Sequence, residues 1–187
     1  MFAGLTGAER TVRGPSVLHV CSLGSLADVT AQLGNYDLLS LLSPGHDVAG
    51  SEGRTGCHRH LSLTFHDIPE HRPGLISPGI ATVQTILDFG RQARAHPLLV
   101  HCWAGISRSS AAAYALACDR NPGLEREIAL DLRARAPFAT PNRLMVALAD
   151  DLLGRQGRMV DAIAGIGRGA EAREGLPYIL PLDWPLR

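Results

Sequence analysis

The sequence predicts a single α/β domain whose central, mostly parallel sheet is flanked by helices. Short apolar runs of strand length alternate along the chain with amphipathic segments of helical spacing, and this alternation is typical of parallel sheets with crossover helices. A length of 187 residues suits one domain with a full hydrophobic core. The composition, 45% hydrophobic and 19% charged, is that of an ordinary globular chain.

The first third of the chain predicts three strands and one helix. Residues 1–15 are interpreted as a leader that ends at Pro15. We then expect strands over 17–21, 37–42 and 61–66, and a short helix whose apolar face is Leu26, Val29 and Leu33. Residues 44–57 are rich in glycine and polar side chains and predict a long surface loop.

The remainder predicts mainly helices around one apolar strand. Pairs of a polar residue and proline are typical of helix starts, so we expect helices to begin at Ser77-Pro78, Asn121-Pro122 and Thr140-Pro141. Met159, Ile163 and Ile166 indicate a last helix, and a proline-rich tail is expected to pack in extended form. The predicted segments are therefore a leader over 1–15, a main body over 16–155, and a C-terminal helix and tail over 156–187 on the same domain.

One stretch combines a buried strand, a short loop and a helix. The apolar run 98–100 ends in His101-Cys102, and Arg108 follows six positions after the cysteine, at the start of an alanine-rich segment. A loop at a helix N-terminus leaves backbone N–H groups free to bind an anion. The positive helix end and Arg108 both favour a thiolate at Cys102. A thiolate beside an anion site is a nucleophile placed next to its substrate.

The bare Cys-x5-Arg pattern is weak evidence, because about 0.4 matches are expected by chance in this composition. A small apolar cysteine at a strand end, with a solvated arginine, is the alternative. The context favours a functional loop, since Gly105 lies within it and Ser109 opens a helix. The whole run His101-Cys102-x-x-Gly105-x-x-Arg108-Ser109 resembles the signature loop of the cysteine-dependent protein tyrosine and dual-specificity phosphatases.

This resemblance implies a phosphatase-like catalytic domain over residues 16–155 and a phosphoric monoester hydrolase that acts through a cysteinyl-phosphate intermediate. The substrate would be a phosphorylated protein or a small aryl phosphate, and no cofactor is expected. The phosphate would be held by the loop, that is by Trp103, Ala104, Gly105, Ile106, Ser107 and Arg108.

A phosphatase also needs a proton donor for the leaving oxygen. Asp67 is the candidate, because it opens a proline-containing loop at the end of a predicted strand, 35 residues before Cys102. The resemblance places the general acid on a comparable loop. Glu70 and Asp88 are the competing carboxylates, although Asp88 falls within a predicted helix, and a turn or capping role is the alternative for Asp67.

The resemblance implies supporting roles for three further residues. Ser107 would help the thiolate leave the intermediate, and His101 would order the loop through hydrogen bonds. Ser109 is expected to hydrogen-bond the loop or the thiolate. Trp103 stands where a small residue is common, and either stacking on an aromatic substrate or packing against the body would explain it.

Charge and composition exclude several other classes. The net charge is zero, so we expect no nucleic-acid or membrane partner. All 18 basic residues are arginines, which excludes a Walker-type phosphate loop because that loop needs a lysine. The absence of lysine from the signature loop also makes highly charged phosphoinositides a less favoured substrate class.

The cysteine content and the N-terminal sequence predict the cellular compartment of the protein. Four cysteines without paired spacing predict a reduced, cytoplasmic protein. We expect no signal peptide and no membrane span, since no apolar stretch has the required length. The metal-ligating side chains Cys57, His58, His60 and His66 lie close together in sequence, but their spacing matches no familiar zinc pattern. We therefore expect no metal.

Two other functions compete with catalysis of phosphate release. A phosphate-binding module with feeble catalysis would use the same loop, but the set of Cys102, Ser107, Arg108 and Asp67 favours an enzyme. A rhodanese-like sulfur carrier also places a cysteine loop at a helix N-terminus, but Gly105 and the upstream acid favour the phosphatase. The preference between phosphotyrosine and phosphoserine is left open.

Overall fold

The computed structural model describes residues 15–46, 55–93 and 96–184. These residues form one sheet surrounded by helices. In chain order the elements are β1 (Val17–Ser22), α1 (Leu26–Leu33), β2 (Tyr36–Leu42), β3 (Cys57–Thr64), α2 (Ile80–Arg91), β4 (Leu98–Cys102), α3 (Arg108–Arg120), α4 (Glu125–Arg135), α5 (Arg143–Leu152), α6 (Arg158–Ile166) and β5 (Tyr178–Pro181). The predicted leader lies outside the described residues, except for Pro15.

The strand order in the sheet is β3-β2-β4-β1-β5. The first four strands are parallel, and β5 pairs antiparallel with β1. The predicted mostly parallel sheet is therefore confirmed. The central strand β4 places Cys102 opposite Ser22 of β1 and Leu41 of β2. Cys102 thus lies where the carboxyl ends of three parallel strands meet, the position at which open α/β sheets bind ligands.

The two faces of the sheet are covered unequally. On one face α1 packs Leu26 and Val29 against Leu38 and Leu99. On the other face the larger core joins the strands to α2 through α6. Helix α3 lies at the centre of that core, and its run of buried alanines lets it approach the sheet closely. This close packing fixes the loop that joins β4 to α3.

Three helices begin later than their proline pairs predicted. Helix α2 starts at Ile80 after Gly79, because the Ser77 hydroxyl pairs with His71 Nδ1 at 2.9 Å and does not cap the helix. Helix α5 is capped by Asn142, whose Oδ1 accepts the Met145 N–H at 3.0 Å. The predicted starts at Ser77 and Thr140 are wrong.

The prediction for α4 fails for a similar reason. Asn121 ends α3 and does not begin α4, which starts at Glu125. The Asn121 side-chain amide donates to Ala117 O at 2.7 Å and to Leu182 O at 2.8 Å. The Asn121 side chain therefore binds a carbonyl at the C-terminal end of α3 and a carbonyl of the C-terminal tail. It does not cap α4.

Strand β3 starts at Cys57, earlier than the predicted Leu61, and ends at Thr64. It lies at the edge of the sheet, and none of its first four residues is fully buried, with His58 exposed. Polar side chains on an exposed edge give little apolar signal, which explains the missed residues. The predicted loop 44–57 agrees to within one residue with the interval between β2 and β3, and residues 47–54 of it lie outside the described residues.

The C-terminal part of the chain returns to the sheet. After α6, residues 167–177 cross the loop between β4 and α3, and we call them the return segment. Its Gly175 N–H donates to Ala104 O at 2.8 Å. The chain then adds β5 to the edge of β1. None of the described helices combines the length and apolar character needed to cross a bilayer.

Candidate active site

The loop from Cys102 to Arg108, here called the signature loop, is held from outside by hydrogen bonds to its carbonyls. Three bonds do this: Leu23 N–H to Trp103 O at 3.1 Å, Gly175 N–H to Ala104 O at 2.8 Å, and Thr140 N–H to Ile106 O at 3.0 Å. In a trans peptide, a carbonyl and the following N–H point in opposite directions. The amides of residues 104, 105 and 107 therefore face the interior of the loop and form an anion cradle.

Gly105 is required by the close approach of the loop to β1. Its φ is +71°, in the left-handed region. A Cβ at this position would lie 2.8 Å from Ser22 N and 3.0 Å from Cys21 C. Because both neighbours are backbone atoms, a larger residue here would distort the cradle.

The sulfur of Cys102 lies at the base of this cradle. The side chain is buried at the end of β4, and its Sγ is 3.1 Å from Ser109 Oγ. Ser109 lies in the first turn of α3, whose N-terminus points toward the loop. The predicted contact between Ser109 and the thiol is thus present in the structure.

Cys21 of β1 lies close enough for the charge of Cys102 to affect it. Burial, and secondarily that charge, raise the pKa of Cys21 to about 12. Cys21 is therefore a thiol at neutral pH and does not compete as a nucleophile.

Arg108 is only 4% exposed, and it lines the same cavity as Cys102. Its Nη1 donates to Phe65 O at 2.9 Å and to Ser43 Oγ at 3.1 Å. Its Nε is buried without a hydrogen-bond partner among the described residues. An unsatisfied buried N–H is costly, and an oxyanion in the cradle would satisfy it.

Asp67 lies in the loop after β3, and it lines the same cavity as Cys102 and Arg108. Its Oδ1 accepts hydrogen bonds from Ser107 Oγ and from Asn142 Nδ2, both at 2.7 Å. Its Oδ2 lies 3.8 Å from Arg108 Nε, and the side chain remains 33% exposed. The carboxylate therefore lies beside the cradle while it stays open to water.

The competing carboxylates are directed elsewhere. Glu70 is exposed and pairs with Arg72 at 3.2 Å. Asp88 lies on α2, where its Oδ1 accepts from Gln84 at 2.9 Å and from Arg91 at 3.2 Å. Neither carboxylate lines the cavity above Cys102.

Ser107 and His101 make contacts that the sequence analysis did not predict. Ser107 directs its hydroxyl to Asp67, and the hydroxyl near the sulfur belongs to Ser109. His101 is buried, and its Nε2 is 2.6 Å from Ser40 Oγ on β2, which is also 2.9 Å from His60 Nε2. His101 thus ties the strand that ends in the nucleophile to its neighbour in the sheet.

These groups open into one cavity of about 490 Å³. Its walls are Ser43, His46, Asp67, Cys102, Trp103, Ala104, Ile106, Ser107, Arg108, Ala172 and Arg173. The Trp103 side chain is 55% exposed at the rim and meets the His46 ring edge-on, with 4.8 Å between centroids. The cavity is thus deep enough to hold an anion and has an aromatic wall.

Sequence reasoning missed several contributors to this site. Ser43 and His46 follow β2, and Ala172 and Arg173 belong to the return segment. Asn142 was overlooked, although an asparagine after Thr140-Pro141 is itself a strong capping signal. Nothing periodic or patterned around Arg173 could have placed it at this cavity.

Two of the side chains considered above as metal ligands, His58 and His66, contact other groups. His58 stacks on His96 with 3.7 Å between ring centroids, and His66 Nδ1 accepts the Ile76 N–H at 2.9 Å. Within the described residues, no group of three or more His, Cys, Asp or Glu side chains is placed to hold a metal ion.

Several solved structures that share this architecture are phosphatases or phosphatase-like proteins. The crystal structure of DUSP15 superposes with a TM-score of 0.56 at 18% identity, covering 86% of this chain and 97% of that one. This chain has the dual-specificity phosphatase fold. The fold class implied by the resemblance of the signature loop is therefore confirmed.

Two further structures agree with this assignment of the dual-specificity phosphatase fold. The Yvh1 phosphatase domain from Chaetomium thermophilum gives a TM-score of 0.53 at 19% identity, covering 75% of this chain and 92% of that one. A human tyrosine phosphatase-like serine/threonine/tyrosine-interacting protein gives a TM-score of 0.52 at 19% identity, covering 73% of this chain and 87% of that one. No protein-family model and no curated protein sequence matches the chain.

Proposed function

We propose that the protein is a cysteine-dependent phosphatase that hydrolyses phosphate monoesters, with phosphotyrosine or a similar aryl phosphate as substrate. One observation carries this proposal. Cys102, Asp67 and Arg108, whose Nε has no hydrogen-bond partner within the described residues, all line the same cavity. A nucleophile, an anion-binding fork and a proton donor are the three groups that such hydrolysis needs.

In the first step, the substrate phosphate occupies the cradle of loop amides and the guanidinium of Arg108. The Cys102 thiolate attacks phosphorus in line, an S–P bond forms, and the P–O bond to the leaving group breaks. Asp67 donates its proton to the leaving oxygen. The amides and Arg108 stabilise the charge on the three equatorial oxygens throughout.

In the second step, the Asp67 carboxylate takes a proton from water as the water oxygen attacks phosphorus. The S–P bond breaks, and inorganic phosphate and the thiolate are released. The Ser109 hydroxyl, 3.1 Å from the sulfur, donates a hydrogen bond to the departing thiolate. The side chains of Ser107 and Asn142 have positioning roles, because both donate hydrogen bonds to Asp67 Oδ1.

The aromatic rim supports an aryl ester as substrate. The exposed face of Trp103 lies at the mouth of the cavity, where a phosphotyrosine ring would stand once its phosphate is in the cradle. Aromatic rings stack in offset or edge-to-face geometry with useful affinity. A short alkyl phosphate would leave this wall without a contact.

The experiment measures release of para-nitrophenol from para-nitrophenyl phosphate at mildly acidic pH. Wild-type protein should turn over, Cys102→Ser should be inactive, and Asp67→Asn should lose about 10²- to 10⁴-fold in kcat, as expected for a lost general acid. Glu70→Gln is the matched control, because it removes a carboxylate from the same loop, and it should keep wild-type activity.

Full activity in Cys102→Ser would rule out the covalent mechanism. Full activity in Asp67→Asn, or a large loss in Glu70→Gln, would move the acid elsewhere. Phosphopeptide binding without any turnover would favour the phosphate-binding module, and sulfur transfer from thiosulfate without phosphate release would favour the rhodanese-like carrier.

A further inference from the structure

The return segment brings two arginines to the mouth of the active site. Arg173 lines the catalytic cavity, and together with Arg168 it lines an adjoining cavity of about 450 Å³. Both side chains are exposed, and no ion pair involves either one within the described residues. Since the net charge of the chain is zero, this is a local positive site and not part of a general basic surface.

The backbone of the return segment is anchored on both sides of Arg173. Ala170 N–H donates to Pro137 O at 2.9 Å, and Gly175 N–H donates to Ala104 O at 2.8 Å. The neighbouring carboxylate of Glu174 accepts a hydrogen bond from Ser22 Oγ of β1 and forms no ion pair with Arg173 within the described residues. Arg173 is thus presented from a fixed backbone, with its charge available to a ligand.

Tight packing explains why this segment keeps its position. A Cβ at Gly169 would lie 2.4 Å from the carbonyl oxygen of Phe138, and one at Gly175 would lie 2.3 Å from its ring. The Gly169 N–H also donates to Thr140 Oγ1 at 3.1 Å. The two glycines let the segment lie directly on the chain between α4 and α5.

Three cavities adjoin one another at Arg173. The 450 Å³ cavity shares Ile106, Ala172 and Arg173 with the catalytic cavity, and a third cavity of about 270 Å³ shares Trp103, Ala104 and Arg173. An extended peptide advances about 3.3 Å per residue. Residues that flank a phosphoresidue in the central cavity would therefore reach the cavities on either side.

We propose that Arg168 and Arg173 form a subsite for an acidic residue that flanks the phosphoresidue of a protein substrate. The inference rests on the proposed phosphatase function. Glu171 also lines the 450 Å³ cavity, so its charged lining residues, two arginines and one glutamate, sum to a net charge of +1. This charge favours a single carboxylate over a second phosphate. Arginine suits this task, since its planar fork binds a carboxylate through two hydrogen bonds.

The test uses a series of phosphotyrosyl peptides in which one Asp is scanned through three positions on either side of the phosphotyrosine, against an all-alanine peptide. In wild-type protein, kcat/KM for the best Asp peptide should exceed that for the alanine peptide by about three- to fivefold at low salt, as expected for exposed ion pairs. This ratio should approach one at about 0.5 M salt, because salt screens exposed charges.

The double variant Arg168→Ala/Arg173→Ala should bring the ratio to about one. Because both peptides are measured on the same protein, a general loss of activity cancels in the ratio of their kcat/KM values. Arg126→Ala is the matched control, because Arg126 is an exposed arginine that lines a separate cavity between α4 and α6, and it should keep the wild-type ratio. A ratio of one in wild type, or an unchanged ratio in the double variant, would overturn the subsite.

A measurement of peptide binding distinguishes failure of the acidic subsite from failure of the proposed phosphatase function. If no phosphate ester is turned over, the proposed function fails, and the same peptide ratio is then measured as Kd by fluorescence anisotropy on Cys102→Ser protein. A Kd ratio of one would overturn the subsite as well. If the double variant instead loses turnover of a soluble inositol bisphosphate with the peptide ratio unchanged, the assigned substrate class is wrong.

Discussion

The Ser107 hydroxyl donates to Asp67 Oδ1 across 2.7 Å, which ties the loop after β3 to the N-terminus of α3. Asn142 Nδ2 donates to the same oxygen at 2.7 Å. With two donors on Oδ1, the proton of a protonated Asp67 belongs on Oδ2, the oxygen that lies 3.8 Å from Arg108 Nε. In the proposed mechanism, the two hydrogen bonds therefore orient Oδ2 toward the leaving group.

Replacing Asn142 by serine should separate helix capping from catalysis. Serine also caps helices well, so α5 should keep its start, while the donation to Asp67 is lost. Because a hydrogen bond to a charged group contributes about 1.5–3 kcal/mol, we expect Asn142→Ser to lower kcat about tenfold or more. The loss should be larger for phenyl phosphate than for para-nitrophenyl phosphate, since the poorer leaving group depends more on the proton.

Asn121→Ser is the matched control for this experiment. Asn121 is also a buried amide at a helix end, but it binds Ala117 O and Leu182 O, away from the cavity. This variant should lose stability in urea unfolding and keep kcat. An Asn142→Ser protein with equal losses on both substrates would show that Asn142 acts only in folding.

Replacing Ser109 by alanine should weaken stabilisation of the thiolate. The Ser109 hydroxyl lies 3.1 Å from Cys102 Sγ, and its removal should slow iodoacetamide alkylation of Cys102 at neutral pH about tenfold. Ser110→Ala is the control, because the Ser110 hydroxyl accepts from Tyr178 and does not touch the sulfur. Equal alkylation rates in the two variants would refute the role of Ser109.

The parts of the site that could be predicted from the sequence are those carried by local pattern. The apolar run into Cys102, Gly105 and Arg108 lie within one strand, loop and helix, and all three take their expected places. Asp67 was placed correctly beside the cavity, because it follows a strand end.

The missing parts depend on contacts between distant segments. Arg173 reaches the cavity only because the return segment crosses the signature loop, and no short-range pattern encodes that crossing. The helix starts at Ser77 and Thr140 failed because both hydroxyls bind other partners, His71 and Gly169. Tertiary hydrogen bonds therefore override the local capping preference.

Stability should fall at alkaline pH because the buried thiols of Cys21 and Cys118 have raised pKa values. Burial raises the pKa of Cys21 and of Cys118 to about 12, whereas an unfolded cysteine titrates near 8.5. Above about pH 9 the unfolded chain therefore loses protons that the folded chain keeps, and the free energy of unfolding falls as pH rises. Each thiol contributes at most about 1.4 kcal/mol per pH unit to this slope.

Urea unfolding under reducing conditions at pH 7.5, 9 and 10 measures this slope. Cys118→Ala should make the decline above pH 9 shallower, even though the lost packing of a buried side chain lowers stability at every pH. A slope that is identical in wild type and Cys118→Ala would mean that the buried thiol does not titrate differently in the two states.

Trp103 should set the preference for aryl over alkyl phosphates. Trp103 is 55% exposed and lines the cavity, and its ring centroid lies 4.8 Å from that of His46 in an edge-on contact. Aromatic pairs contribute about 0.5–1.5 kcal/mol beyond their buried area, so Trp103→Ala should lower the kcat/KM ratio of phosphotyrosine to β-glycerophosphate about fivefold. Trp184→Ala is the control, because that indole donates to Pro181 O and lines no part of the cavity. A Trp103→Ala protein that keeps the wild-type ratio would show that the ring packs against the protein and does not contact the substrate.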